Sequence, residues 1–531
     1  MKLASTTAQV SLVAAGPGDP GLLTVCAVGL LNSADVVVTD AECEAIARTH
    51  ARADAEVLVA VDENGQVADH AERVRLVIDP AESGRSVVRL MAGDPVLDGS
   101  LALEAAALAH AGIHYDVAPG VSTVTGSAAY AGFALTGGLA REVRVVDAHD
   151  PDVDWPSLAD PHATVVVLDG AERALDICRI LTISGRDPRT PVAITGNSTT
   201  VDQRSIVSTL GEVSAALKAA KGEVGAGVLV VGEVVDQCAE LAWFENKPLF
   251  GWRVLVPRTK EQAGALSEQL RQFGAVPVEV PTISVEPPRT PQQMERAVQG
   301  LVSGRYQWVA FTSANAVRAV KERFDQYGLD SRSFAGLRVA AVGEQTAALL
   351  RSFGIVPDLV PTGEQSTAGL LEEWPHYDPA LDPINRVFLP RADIATETLA
   401  AGLVELGWEV DDVTAYRTVR AAPPPAEIRE AIKGGGFDAV LFTSSSTVRN
   451  LVGIAGKPHS STVVACIGPQ TAKTAEENGL RVDVLPETPS VAALADALAE
   501  HGEALRRHAL EHGETAWRPG RRRGSSRRRA T

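Results

Sequence analysis

Residues 307–317 read QWVAFTSANAV, and residues 438–448 read DAVLFTSSSTV. Each is a short apolar run that stops at Thr-Ser and passes straight into a helical pattern. Two such strand-to-helix corners predict two similar α/β lobes facing one ligand.

The repetition extends outward from the corners. GWRVLVPRTKEQAGALSEQLRQFGAVPVEV (251–280) is echoed by NRVFLPRADIATETLAAGLVELGWEVDDV (385–413). LRVAAVGEQTAALLRSFGIVPDLVP (337–361) is echoed by STVVACIGPQTAKTAEENGLRVDVLP (461–486). Each block reads as strand, turn and amphipathic helix, with Gly274, Gly354, Gly407 and Gly479 where helix C-caps are expected. Strands alternating with helices predict parallel sheets covered on both faces, with ligands outside the carboxyl ends of the strands. Pro257 with Arg258, Pro390 with Arg391, Phe311, Phe442, Gly343 and Gly468 all fall at such ends. One tight turn would need no ligand to explain it, but six at equivalent places favour a shared cleft. The proline-rich breaks at 285–291 and 420–425 predict crossings between lobes, so the first block lies in one lobe and its echo in the other.

A chain of 531 residues is too long for one core. No stretch approaches the roughly 20 apolar residues a membrane helix requires, and the N-terminus reads as a first strand rather than a signal peptide. The expectation is a cytoplasmic protein. A net charge of −18 argues against nucleic acid as the main partner. Any acidic substrate must then be met by local arginines or helix N-termini. The five cysteines are scattered without a CxxC pair, and no glutamate completes a zinc motif around His110 with His114 or His508 with His512, so no metal is expected.

PRT, FTSANAV, VGEQTA, PRAD, TAYRT, FTSSSTV and IGPQTAKTA together resemble uroporphyrinogen-III synthase over roughly 251–499. The resemblance implies two lobes with the substrate between them. It also implies cyclisation of hydroxymethylbilane to uroporphyrinogen III with inversion of ring D and no cofactor. That substrate carries eight carboxylates. Helix N-termini after Thr312, Thr443 and Gly468 suit them, as do the hydroxyls of Thr312, Ser313, Thr443, Ser444, Ser445 and Thr471, the loop at Gly343, and the charges of Arg258 and Arg391. Tyr416 aligns with the tyrosine thought to hydrogen-bond the leaving hydroxyl; a phenol stays protonated near neutrality and can donate. Packing between lobes is the alternative use of Tyr416.

In the N-terminal half, VSLVAAGPGDPGLLT (10–24) reads as strand, Gly-rich loop and a helix starting near Leu22. It lacks GxGxxG and is not a dinucleotide fingerprint. With ADVVVTD, VVRLMAGDP, APGVSTVTGSAAYAGFALT, TPVAITGNSTTVDQRSIVSTL, VGEVV and WFENKPLFG it resembles uroporphyrinogen-III C-methyltransferase, of the tetrapyrrole methylase family. The resemblance implies S-adenosylmethionine bound between two α/β domains and two methylations of the macrocycle. It places Pro17, Gly18, Gly93, Asp94, Ser122, Thr123 and Ala193 at the cofactor and Asp19 near the acceptor. Several positions depart from the family pattern. Met91 and Ala92 replace a lysine and a glycine, Val96 and Asp98 replace aromatics, and Ser100 replaces an arginine. Gly137 and Gly138 replace a His-Arg pair, and Asp169 falls near an expected methionine.

The expected domains are 8–250 (subdomains 8–138 and 139–246), 251–500 (lobe one 251–285 plus 421–500, lobe two 286–420), and a disordered basic tail at 501–531. The reading is a two-step enzyme whose second half makes the substrate of the first. One alternative is a synthase whose N-terminal half is a non-catalytic binding or homodimerisation module. Another is a two-lobed ligand-binding protein.

Overall fold

Valine-rich runs with little polar interruption build strands buried on both faces. The computed structural model describes residues 10–62, 64–220, 224–225, 227–258, 263–394, 397–512 and 518–520. They fall into two units, Met1–Trp252 with Leu270–Val276, and Arg253–Gln269 with Pro277–Thr531. Among the described residues, no helix is long and apolar enough to cross a membrane.

The first unit holds two sheets. One is parallel throughout. Its strands β1 (Val10–Ala14), β2 (Val36–Thr39), β3 (Glu56–Val59), β4 (Val87–Met91) and β5 (Tyr115–Ala118) run in the order β3-β2-β4-β1-β5. The other is mixed: β6 (Glu142–Asp147), β7 (Ala163–Leu168), β8 (Pro191–Gly196), β9 (Arg204–Thr209) and β10 (Gly227–Val231) run β6-β7-β10-β8-β9, with only β6 and β7 parallel. The helix expected near Leu22 starts at Val25, because Asp19 first caps a short turn at Pro20–Leu22 and Thr24 then caps the helix.

Arg89 lies inside the parallel sheet, 2% exposed. Its guanidinium donates to Glu104 at 2.9 and 3.1 Å, to Asp40 at 2.6 Å and to the Leu90 carbonyl at 2.8 Å. Asp40 also accepts the Ala92 amide at 2.9 Å. A charge this deep is tolerated only because each donor has a partner.

The second unit also holds two sheets, and they are built alike. β11 (Arg253–Arg258), β12 (Val276–Pro281), β18 (Ala439–Phe442) and β19 (Val463–Cys466) run β12-β11-β18-β19. β13 (Ile283–Glu286), β14 (Trp308–Phe311), β15 (Arg338–Ala341), β16 (Arg386–Ala392) and β17 (Glu409–Arg420) run β13-β17-β16-β14-β15. Matching each block to its echo gives the same strand order in both, with β13 added antiparallel at one edge. Each sheet takes its first block from one half of the duplication and its other two from the other half. The predicted cap glycines close their helices: Gly354 and Gly479 have φ of +83° and +73°, and Gly274 and Gly407 have φ of +88° and +92°.

Two expectations are corrected. The first crossing falls at Thr282, not in the proline stretch 285–291, because β13 already pairs with β17 from Ile283 onward. The segment after residue 500 is not all tail. Helix Val491–Glu511 continues through it, since Leu494, Leu498, Gly502 and Ala509 keep one face buried at helical spacing. Beyond it, the Gly520 amide donates to Asp438 at 2.8 Å, while the basic residues 521–531 lie outside the described residues.

Replacing Arg89 by leucine should destabilise the first unit by about 3–5 kcal/mol, since Glu104 would be left buried and unpaired. Urea unfolding followed by intrinsic fluorescence would measure it.

Candidate functional site

In the second unit, both corners end on phenylalanines with no exposed surface, Phe311 and Phe442. The next residues turn out of the sheet, and Ser313 and Ser444 become helix N-caps in extended conformation. Ser313 Oγ accepts the Ala316 amide at 3.2 Å. Ser444 Oγ accepts the Thr447 amide at 3.3 Å, and Thr447 Oγ1 accepts the Ser444 amide, completing a capping box. Gly343 and Gly468 hold the equivalent positions before helices Glu344–Ser352 and Pro469–Glu477. Around the second corner, Ser445 donates to the Gln470 carbonyl at 3.1 Å and accepts from Thr474 at 2.9 Å, with Thr471 buried beside them.

A cavity of about 920 Å³ opens between the crossing segments and helix Ala314–Tyr327. Tyr416 lines it, only 7% exposed, and its phenolic oxygen lies 3.0 Å from Ser313 Oγ. A β-bulge aims this side chain. Arg391 pairs with Thr414 and Ala392 with Tyr416, so Ala415 is the extra residue and the alternation of faces shifts by one. Ala415 and Tyr416 therefore both enter the same core cluster.

The predicted arginines are engaged. Arg258 bonds Glu279, a cavity residue, at 2.8 Å, and Arg391 pairs with Asp412 on β17. Of the residues expected to meet substrate, Tyr416 lines the cavity, and Ser313 stands behind it against the phenol oxygen. Thr312 and Gly343 lie at the corner and helix start of one lobe, while Thr443, Ser444, Ser445, Gly468 and Thr471 cluster in the other. Asn315, Arg318 and Arg323 also line the cavity and were not anticipated. Asn315 and Arg318 follow the first corner at the spacing that keeps one helix face together, a signal present in FTSANAVRAV.

In the first unit, the Gly16 and Gly93 backbones exchange hydrogen bonds of 3.1 and 3.0 Å, tying the GPGDP loop to the GDP loop after β4. Pro17 packs on helix Thr123–Ala131 where Gly126 leaves room; a Cβ there would stand 2.7 Å from Pro17 Cγ. Thr123 Oγ1 would be 3.1 Å from a Cβ on Gly93. Ser122 and Asp94 cap the two turns flanking this space. Pro17, Gly18, Gly93, Asp94, Ser122 and Thr123 are thus brought together. Ala193, expected in the same wall, has no exposed surface and packs with Val124 and Ala128, because helix Thr123–Ala131 covers the face of the sheet from which it projects.

Asp19 is held at three points. Its amide donates to Thr199 Oγ1 at 3.0 Å, Oδ1 accepts the Gly21 amide at 2.8 Å, and Oδ2 accepts the Tyr130 hydroxyl at 2.7 Å. Burial and the bond to Asp19 push the Tyr130 phenol above its ordinary range, keeping it a donor. Thr199 sits at φ +66°, a costly conformation for a β-branched residue. Gln203 stabilises it by accepting its amide at 2.7 Å while donating to Tyr130 O and Glu245. Tyr130, Thr199 and Gln203 were also unanticipated. Met91 is buried at the end of β4, and Gly137 closes a tight turn on Ala140. Burial raises the Cys43, Cys178 and Cys466 thiols to about 12 and Cys238 to about 11, which leaves them poor nucleophiles.

Residues 9–214 match the family of tetrapyrrole (corrin/porphyrin) methylases, and residues 264–496 match uroporphyrinogen-III synthase HemD. The porphyrin biosynthesis protein HemD of Ruminiclostridium josui is 29% identical over 506 residues, covering 93% of this chain and 98% of that protein. Siroheme synthase 1 of Yersinia enterocolitica is 37% identical over 246 residues, 45% of this chain and 52% of that protein, so the chain spans about half of its length. A uroporphyrin-III C-methyl transferase of Thermus thermophilus, solved with S-adenyl homocysteine, is 32% identical over 43% of this chain and 98% of its own, with a TM-score of 0.36. The chain therefore carries a tetrapyrrole methylase domain over residues 9–214 fused to a uroporphyrinogen-III synthase domain over residues 264–496.

Proposed function

We propose that the C-terminal half cyclises hydroxymethylbilane to uroporphyrinogen III with inversion of ring D, and that the N-terminal half methylates this product with S-adenosylmethionine, in the cytoplasm. The observation that carries the first step is the Tyr416 phenol on the wall of a cavity of about 920 Å³, beside a helix N-terminus. The substrate's pyrroles are electron-rich, so loss of the hydroxymethyl oxygen needs one proton and little else. The Tyr416 phenol donates that proton and water leaves, giving an azafulvene. The folded chain then lets ring D attack at its substituted carbon, and positioning supplies most of the acceleration. Arg318, Arg323 and the helix N-termini meet the carboxylates.

For the second step, S-adenosylmethionine would sit on the joined GPGDP and GDP loops and supply an electrophilic methyl group. The donor set fits a sulfonium cation: Asp19 and Asp94 offer negative charge, and the buried thiols named above do not compete. Asp19 takes up the proton the macrocycle loses, and its three hydrogen bonds fix its direction. A second reading keeps the methylase fold as a binding or homodimerisation module; it is favoured by buried Met91 and by the glycine turn at 137 and 138, where the resembled family carries basic side chains.

Supplying hydroxymethylbilane with and without S-adenosylmethionine separates these readings. Isomer III followed by methylated product is expected. Isomer I alone removes the synthase reading, and isomer III that is never methylated supports the second. Tyr416→Phe should lower the rate of isomer III formation by about 10²-fold with little change in KM, the effect of losing one positioned acid; full activity would take Tyr416 out of the mechanism. Gly126→Val should force Pro17 aside and weaken S-adenosylhomocysteine binding at least about tenfold by calorimetry, as a displaced loop would, while cyclisation continues at its normal rate.

A further inference from the structure

The two corners carry the same Thr-Ser, yet their cap serines bond differently. After Ser444 come Ser445, Ser446 and Thr447, and Ser444 Oγ lies 2.9 Å from Ser446 Oγ within a capping box shared with Thr447. After Ser313 come Ala314, Asn315 and Ala316, which offer no hydroxyl. Ser313 Oγ uses a lone pair to accept the Ala316 amide and turns instead toward the Tyr416 oxygen, 3.0 Å away.

We propose that Ser313 is a positioning residue for Tyr416 in the cyclisation: its hydroxyl donates to the phenol oxygen and thereby directs the phenolic proton into the cavity. This inference rests on the cyclisation reading above. A serine hydroxyl has one proton and two lone pairs. One lone pair is taken by the Ala316 amide, so the proton is free for Tyr416. With its oxygen accepting from Ser313, Tyr416 presents its own proton to the departing hydroxyl. The carbon–oxygen bond breaks with its electron pair going to oxygen, the phenolic proton joins it, and water leaves. The pyrrole nitrogen lone pair fills the vacancy on carbon. The phenolate that remains accepts the Ser313 hydrogen bond at the N-terminus of helix Ala314–Tyr327, where the dipole favours negative charge. It regains its proton from the ring D carbon that loses one when the macrocycle closes. The second corner cannot do this, because Ser444 is committed to its own helix. The duplicated lobes are therefore unequal, with the proton supplied from one side.

The test is a double-mutant cycle on the full chain: wild type, Ser313→Ala, Tyr416→Phe and the double variant, each assayed for initial formation of isomer III, with melting midpoints measured alongside. Ser313→Ala should slow cyclisation roughly tenfold when Tyr416 is present and less than about twofold in the Tyr416→Phe background, the coupling expected of two residues acting as one unit. Loss of the cap should lower the melting midpoint equally in both backgrounds, and Ser313→Thr should restore most of the rate. An equal loss of rate in both backgrounds, or no loss at all, would overturn the proposal and leave Ser313 as a cap. Absence of isomer III from the wild type would instead sink the cyclisation reading itself.

Discussion

Thr282 ties the second unit together. It has no exposed surface, and both its amide and its hydroxyl donate to the Arg258 carbonyl, at 2.8 and 3.1 Å, while its own carbonyl accepts the Ala421 amide at 3.2 Å. One residue thus joins the end of β11 to both crossing segments. A buried backbone passing between two sheets would otherwise leave its polar groups without partners. The antiparallel pairing of β13 with β17 begins there, and the cavity is walled by the segments it brings side by side. Tyr416 sits four residues before the second crossing, so its place in the cavity wall depends on the same clasp.

Duplication supplied two lobes, and small differences gave them separate roles. Equivalent blocks keep their register closely enough that Val339 and Val464 donate to Asp358 and Asp483 in the same way, at 2.7 and 2.9 Å. The corners differ more. Three hydroxyl residues after Ser444 close that cap on itself, whereas two alanines and an asparagine after Ser313 leave it to reach Tyr416.

The first unit spends conformational energy where the GPGDP loop and the GDP loop meet. A β-branched threonine in the left-handed region costs about 1–3 kcal/mol, and Thr199 is held there by Gln203 so that its hydroxyl can take the Asp19 amide. An adjacent glycine, Gly126, gives up helix propensity so that Pro17 can approach. Both features serve the orientation of one loop, and neither improves the packing of its own element.

Much of this was legible in the residues alone. Apolar runs ending in Thr-Ser, glycines one turn beyond amphipathic helices, and three blocks each written twice determined the α/β class, the paired lobes and the exchange of the first block between them. These are local signals, since strand, cap and turn preferences depend on neighbours in sequence. The seven-residue copies of the corner also carried the difference between the two caps. Other features depend on groups far apart in the chain. The bulge at Ala415 that aims Tyr416 exists only against β16, because a shift of register has no meaning in a single strand. Tyr130 and Thr199 meet Asp19 across more than a hundred residues of sequence, with Gln203 bonded to both of them, and the hydroxyl and amide spacing of each stretch gives no hint of it. Ala193 was expected at the cofactor and is fully buried against helix Thr123–Ala131, a placement that only the packing of helix on sheet shows. The sequence by itself determined which elements form and at which strand ends they turn into helices; the tertiary structure decided which hydroxyl faces which, because hydrogen bonds select partners by distance and direction in space.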